Sequence, residues 1–411
     1  MGRDVFSLPQ EATMPKLTFY PIGNADTCLI DLASGRKVLF DFSDERNPDD
    51  KNDKRIDLTK SLRDDLKDAK RDFYDVLAIT HLDDDHTHKA DEFFYLDHAE
   101  KYQKGTRTKF EELWVPAAVI VESRNKLEPG AQAIQAEARH RLKKGYGIRV
   151  FSRPESLHDW LEDNDLTVED RTQFITDAGQ VVPGFALATD GVEFFVHSPF
   201  AWRQDDNTVI DRNGDSLVMQ LTFQIDGVQT KAILGSDVAH EALSAIVKTT
   251  KKHGRESRLA WHVFKLPHHC SYLTLSSDKE KCPTVPVPDV KWLFETQGYK
   301  GGIVVSTSEP IPSVGSHEGG SDQPPHKQAA DYYRGLARDK SGQFLVTMEQ
   351  PSVAAPEPIV IDITKEGAKR ATTKKSEASA VTTAKSIPAA IAAARGSAEP
   401  PQTRVGFGTW Q

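Results

Sequence analysis

The chain predicts an α/β (α+β) fold, an αββα sandwich of two facing sheets with helices on both outer faces. Three observations carry the prediction. Strand-like segments alternate with segments of helical periodicity in both halves of the chain. No repeat of fixed period occurs, which excludes a solenoid or propeller. After Lys365 large apolar residues almost vanish, so one unit spans residues 1–365 and a low-complexity tail spans 366–411.

The elements follow in order. Leu17–Tyr20, Thr27–Leu32 and Lys37–Phe42 read as strands, the last two joined by the turn Ser34-Gly35. Leu58, Leu62 and Leu66 recur four apart, which predicts an amphipathic helix over about 57–70. Val76–Thr80 is a buried strand, 89–103 a helix with Phe93, Phe94 and Leu96 inward, and Leu113–Val121 another strand. Pro129 in the first turn and Gly145 beyond the end bound a helix over Pro129–Lys144. Residues 150–190 are irregular, and about 100–190 reads as a long variable insertion beside the cleft. The second half gives strands at 192–196, 216–225, 230–234, 261–266, 302–306, 343–348 and 358–363, with helices at 239–252 and 326–338.

Composition narrows the function classes. With 52 Lys and Arg against 61 Asp and Glu the net charge is −9, so no global basic field advertises nucleic acid, although a local basic cleft is compatible. Cys28, Cys270 and Cys282 form no Cys-x-x-Cys pair, which fits a reducing cytoplasm and excludes a disulfide framework. The first residues lack the apolar core of a signal peptide, and no apolar run approaches the roughly 20 residues of a membrane helix. The expected location is the cytoplasm, with no membrane partner.

The most informative stretch is His81-Leu82-Asp83-Asp84-Asp85-His86, directly after the apolar run Val76–Thr80. Two imidazoles and three carboxylates on a short, stiff strand end can converge on metal, whereas an acidic solvated loop is the plain alternative. The spacing resembles the His-x-His-x-Asp-His motif of the metallo-β-lactamase superfamily with Asp83 in the second histidine's place, a form similar to the ComEC-like branch. Further segments carry the resemblance in the family's order: Thr18–Asp26, Val38–Asp41, Asn213–Val218 with Ile233–Asp237, and Phe264–Ser271. Together they cover about residues 15–350.

The resemblance implies the metallo-β-lactamase αββα sandwich and two divalent metal ions, Zn²⁺ or Mn²⁺. His81 and Asp83 would hold one metal, Asp85 and His86 the other, and Asp237 would bridge them. Asp237 otherwise caps the helix that follows. His268 or His269 completes the second site; His268 is favoured, leaving His269 to act on substrate. Asp41 would orient a ligand histidine, and His326, at a helix start, would contact phosphate or give a proton to the leaving group. His197 stands where a third ligand to the first metal could come, with an ordinary strand-end histidine equally open; Ser271 and Asn213 are kept as substrate or supporting residues. Cys270 replaces the family's usual glycine, and the glycine pair after the metal motif is missing.

These readings predict a cytoplasmic di-metal hydrolase, a phosphodiesterase or nuclease using a metal-bridged hydroxide, with Asp85, His269 and His326 in catalytic roles. Nucleic acid as substrate rests on family analogy alone. A small-molecule esterase of the same fold, phosphocholine-type or lactonase, suits the acidic balance better. A third reading is a partner-binding component of a defence or modification operon, docking through its C-terminal tail, whose last residues include Phe407 and Trp410.

Overall fold

A computed structural model of the chain describes residues 14–123, 126–206, 211–313 and 323–371. The first half supplies β1 (Lys16–Phe19), β2 (Cys28–Asp31), β3 (Lys37–Phe40), β4 (Phe73–Ala78), β5 (Lys109–Pro116), β6 (Ile148–Phe151) and β7 (Ile175–Thr176). The second supplies β8 (Val192–Ser198), β9 (Val218–Ile225), β10 (Val228–Leu234), β11 (Trp261–Lys265), β12 (Gly298–Ser306) and β13 (Gln343–Val346), before β14 (Ile359–Thr364) and β15 (Gly367–Arg370) return to the first sheet. The nine-stranded sheet runs β15-β14-β1-β2-β3-β4-β5-β6-β7 and the six-stranded one β13-β12-β11-β10-β9-β8. Pairing is parallel from β3 to β7 and from β10 to β13, and antiparallel elsewhere.

Three apolar cores establish the four layers of an αββα sandwich. Between the sheets, Phe19, Phe40, Val76, Ala78 and Trp114 meet Phe194, Met219, Leu221, Leu234, Val263 and Val305. Trp114 and Phe40 reach across to Phe194, with ring centroids 5.3 and 6.5 Å apart. Outside the first sheet, Leu77 and Ile79 pack under helices Leu58–Asp68 and Pro129–Lys144. Outside the second, Ile233, Phe264 and Val304 pack under His240–Lys252, Pro288–Glu295 and Lys327–Asp339. β4 is therefore covered on both faces, with Val76 and Ala78 in one core and Leu77 and Ile79 in another.

The helix Leu58–Asp68 shows why sequence periodicity worked. Its predicted stripe of Leu58, Leu62 and Leu66 is buried, and Asp57 caps it by accepting from Lys60 N–H at 3.0 Å. Each leucine contributes about 1.5–3 kcal/mol, which outweighs the marginal intrinsic stability of so short a helix. Pro129–Lys144 also matches, closed by Gly145 at φ 75°.

Elsewhere the structure differs. The expected helix 89–103 is broken: Ala90–Phe93 is one turn, Phe94 is extended, and Tyr95 N–H bonds Thr108 O at 2.9 Å. Phe93, Phe94 and Leu96 all enter one core, and adjacent residues cannot share one helix face. The expected strand 113–121 ends at Pro116, which cannot donate to a ladder, and Ala117–Val121 turns helical. Residues 100–190, the expected insertion, contribute the short strands β5, β6 and β7 to the nine-stranded sheet, between helices and loops. β15 carries the sheet past Lys365 to Arg370, and residues 372–411, nearly all of the expected tail, lie outside the described residues.

One contact ties the helical layer to the loop after β4. A Cβ built on Gly130 would fall inside the van der Waals shell of the Thr87 carbonyl oxygen. Helix propensity alone favours Gly130→Ala by about 1 kcal/mol. The expected outcome is the reverse, a loss of about 1–3 kcal/mol by denaturant titration, because neither backbone can yield without moving the His81–His86 loop. A stabilised variant would contradict this packing.

Candidate metal centre

Five parallel strands deliver the cluster, each from its C-terminal end: Asp41 follows β3, His81–His86 follow β4, Asp237 follows β10, His268-His269 follow β11 and Thr307 follows β12. Side chains from both sheets thus meet at one edge of the sandwich, as ligands commonly do at strand carboxyl ends. The turn between β1 and β2 adds Asp26, whose N–H bonds Asp85 O at 3.0 Å.

His86 is fully buried, and its Nδ1 lies 2.9 Å from Asp41 Oδ2. A carboxylate oxygen only accepts, so Nδ1 carries a proton and Nε2 is the nitrogen left to offer a lone pair to a cation. That Nε2 stands 3.5 Å from Asp237 Oδ1 and 3.8 Å from Asp85 Oδ2, without a hydrogen-bond partner. His269 repeats the arrangement: Nδ1 donates to Thr307 O at 2.7 Å, and Nε2 faces Asp85 Oδ2 at 2.9 Å and Asp237 Oδ2 at 3.4 Å. Asp85, His86, Asp237 and His269 bring four ligand atoms within 4.8 Å of one another. A buried imidazole nitrogen left unsatisfied among carboxylates, and two lone pairs fixed by acceptors behind them, fit a divalent cation.

Thr80 organises the back of the cluster. Its hydroxyl donates to Asp41 Oδ2 at 2.9 Å and accepts from Ser236 Oγ at 2.8 Å. Its proton being spent on Asp41, the oxygen meets His81 Nδ1, 3.2 Å away, as an acceptor, which turns His81 Nε2 toward Asp83 Oδ2 at 3.5 Å. Behind this, Asp26 is held by Lys265 and Thr307.

Electrostatics agree with a site built for positive charge. Burial pushes the His269 ring down, but Asp237 and Asp85 outweigh it and hold its pKa up at about 10. His86 is raised as well, by Asp41, Asp85 and Asp237 against its burial. Burial pushes Asp237 up, and the two imidazoles hold it well below the ordinary carboxylate range. Without a cation, protonated imidazoles take over the neutralising role.

The sequence-predicted residues divide clearly. Asp85, His86 and Asp237 join the four-donor group, and Asp41 supports it through His86. The favoured His268 does not join; its neighbour His269 takes the position. Both residues and Cys270 have φ of 50–66°, a left-handed turn that swings His269 inward and leaves His268 touching Asp237 through its backbone N–H at 3.3 Å. The same φ explains why a glycine suits the Cys270 position. His81 and Asp83 form a pair apart from the group, and Asp83 is taken by Arg212, whose Nη1 donates to Oδ1 at 2.6 Å. Asn213 places its backbone carbonyl on Ser216, so its neighbour Arg212 makes the site contact. Ser271 Oγ accepts from Leu273 N–H at 3.2 Å, a turn cap. His326 is buried beside the 268–276 segment, with Nδ1 accepting from Tyr272 N–H at 3.3 Å.

Of the two readings left open for His197, the structure takes the ordinary strand-end histidine. Val192, Phe194 and Val196 fill the inter-sheet core, so the alternation of β8 turns Phe195 and His197 to the other face. There His197 Nε2 lies 2.8 Å from Arg258 O, on the wall of a cavity of about 730 Å³ shared with Phe200, Trp202 and Arg255. Asp26, Thr80, Lys265, Arg212 and Glu122 were not picked out as site residues. Asp26 and Lys265 lie within the motif segments; nothing local in sequence marks Arg212 or Glu122.

No protein-family model and no curated protein matches the chain. Among solved structures it is similar to a diphosphatase of the PhnP family, at 11% identity over 81% of this chain and 82% of that one, TM-score 0.30. It is similar to unliganded yeast PDE1, at 10% identity over 81% and 97% with TM-score 0.39. The metallo-β-lactamase GOB-18 from Elizabethkingia meningoseptica gives 10% identity over 83% and 94% with TM-score 0.28. These are distant likenesses, and the functional reading rests on the chain's own side chains.

His197 yields a pH prediction. Burial holds its pKa down at about 4, against about 6.5 in the unfolded chain. A depressed folded pKa stabilises fully above the unfolded value, and that stability is lost as pH falls through the folded one. His197→Gln should therefore remove ~3 kcal/mol of the wild-type loss between pH 6.5 and 4, read from denaturant midpoints. An unchanged pH profile would place the ring in water.

Proposed function

We propose that the chain is a metal-dependent hydrolase of the metallo-β-lactamase type whose substrate is a phosphodiester, nucleic acid being the first candidate. The observation that carries this reading is the four-donor group of Asp85, His86, Asp237 and His269, with both imidazole lone pairs fixed from behind by Asp41 and Thr307. A divalent cation bound there, Zn²⁺ or Mn²⁺ by its mixed nitrogen and oxygen donors, would supply an acidic water and charge for a phosphoryl oxygen.

The protein's own groups do the remaining work. Asp41 and Thr80 hold His86 in one tautomer, and Thr307 O does the same for His269. Asp237 receives both imidazoles, so it couples the loop after β4 to the loop after β11. Burial, outweighing the opposing pull of Asp237, lowers the His268 pKa; beside the cluster the ring can hydrogen-bond a substrate oxygen or the departing group. No described helix is long and apolar enough to cross a membrane.

Full-length protein supplied with Mn²⁺ or Zn²⁺ should hydrolyse bis-p-nitrophenyl phosphate, with DNA and RNA tested beside it. Asp41→Ala should cost about 10–100-fold, as loss of a supporting partner does. Asp237→Ala and His269→Ala should cost more, and His268→Ala less than His269→Ala. Hydrolysis of a lactone but of no phosphodiester would shift the substrate class to the esterase reading. Near wild-type activity in Asp237→Ala would remove the mechanism.

Metal binding should also release protons, because the cation displaces them from imidazoles that the carboxylates keep charged, His269 with a pKa of about 10. Affinity should rise with pH between 6 and 8. Calorimetry in buffers of different ionisation enthalpy measures this, and metal binding without proton release would contradict the assigned charge state.

A further inference from the structure

We propose that the guanidinium of Arg212 occupies the place of a second cation, so that the centre holds one divalent metal per chain and presents a fixed organic charge beside it. This rests on the metal-dependent reading above.

The first position lacks the donors a cation needs. Among the described residues, His81 Nε2 and Asp83 Oδ2, 3.5 Å apart, are the pair of ligand atoms there. His197 is turned to the Arg258 carbonyl on the far face of β8. Asp237 belongs to the four-donor group, its two oxygens facing His86 and His269 at 3.5 and 3.4 Å. Catalytic zinc sites ordinarily keep three protein ligands, and two donors fall short.

The space beside that pair is held by Arg212. Its Nη1 donates to Asp83 Oδ1 at 2.6 Å, while Nε and Nη2 grip Glu122 at 2.7–3.0 Å. The Glu122 side chain is 1% exposed, so the guanidinium is fastened by a fork-on-fork pair with a buried carboxylate rather than resting on the surface. Arginine stays charged under all ordinary conditions. It neutralises Asp83 and Glu122 in part without any metal, and it would repel a dication placed against Asp83. At the other position one dication balances Asp85 and Asp237. Charge and donor count therefore agree on a single metal.

The arrangement also gives Arg212 a role toward substrate. The bonds described use three of its five N–H groups. The others can receive an anionic oxygen of a phosphodiester, the service a second metal would otherwise perform.

The test combines metal content with kinetics on the full chain. Protein stripped with chelator, reloaded with Mn²⁺ or Zn²⁺ and freed of excess metal should carry one equivalent. Asp83→Asn should still carry one, with affinity changed less than about threefold, whereas Asp85→Asn should lose it. Arg212→Ala alone would take from the buried Glu122 carboxylate its fork-on-fork partner, so the informative variant is Arg212→Met with Glu122→Gln, which removes both charges of that pair. That variant should keep one equivalent and lose about 10²–10³-fold in kcat/KM on bis-p-nitrophenyl phosphate, the scale for a missing oxyanion donor. Two equivalents in the wild type, or loss of a metal in Asp83→Asn, would overturn the single-metal assignment while leaving a metal-dependent hydrolase in place. Unchanged kcat/KM in the double variant would overturn the substrate role of Arg212. No bound metal at all would defeat the parent reading instead.

Discussion

The bond between His86 and Asp41 is the constraint on which the rest of the centre depends. It spans the ends of adjacent strands β3 and β4 at 2.9 Å and is buried on every side. By fixing the proton on Nδ1 it fixes the lone pair on Nε2, and through Thr80 it also sets the His81 ring. Ser236 of the opposite sheet bonds the same threonine hydroxyl, so one hydroxyl registers both sheets at the site. Loss of the Asp41 carboxylate would free one ring directly and a second through Thr80.

Holding so many charges in the interior is unfavourable, and the fold meets that with pairing and layered packing. Asp26 is matched by Lys265, Asp83 by Arg212, and Asp237 by two imidazoles. Unpaired burial of Asp26 or Asp237 would cost several kcal/mol, whereas Asp83 is part exposed. The left-handed run His268-His269-Cys270 adds strain of roughly 1–2 kcal/mol per residue. Strain concentrated where ligands are aimed is a common signature of functional sites. Three apolar cores flank the strands that end in this region.

Much of this was legible in the sequence, because local patterns encode it. The leucine stripe 58-62-66, the Pro129 and Gly145 boundaries and the alternation of strands with helices follow from periodicity and backbone chemistry. Asp85, His86 and Asp237 stood out because each sits where an apolar strand ends. What was not legible depends on φ or on long-range contact. Nothing in the pair His268-His269 says which ring a left-handed turn will aim inward. Position left His197 open between ligand and ordinary strand-end histidine, and strand parity decides for the latter. Arg212 meets Asp83 across 129 residues of chain, beyond any local pattern. The broken helix after Lys89 failed for a related reason, since Phe93 and Phe94 are both drawn into one core.

The central claim is that a cation sits among Asp85, His86, Asp237 and His269. Anomalous diffraction at the metal edge, on crystals of metal-loaded full-length protein, tests it most directly. The account predicts a peak at ordinary ligand distances, about 2.0–2.2 Å, from His86 Nε2, His269 Nε2 and the two carboxylates. A peak ligated by His268 and not His269, or one confined to His81 and Asp83, would contradict it.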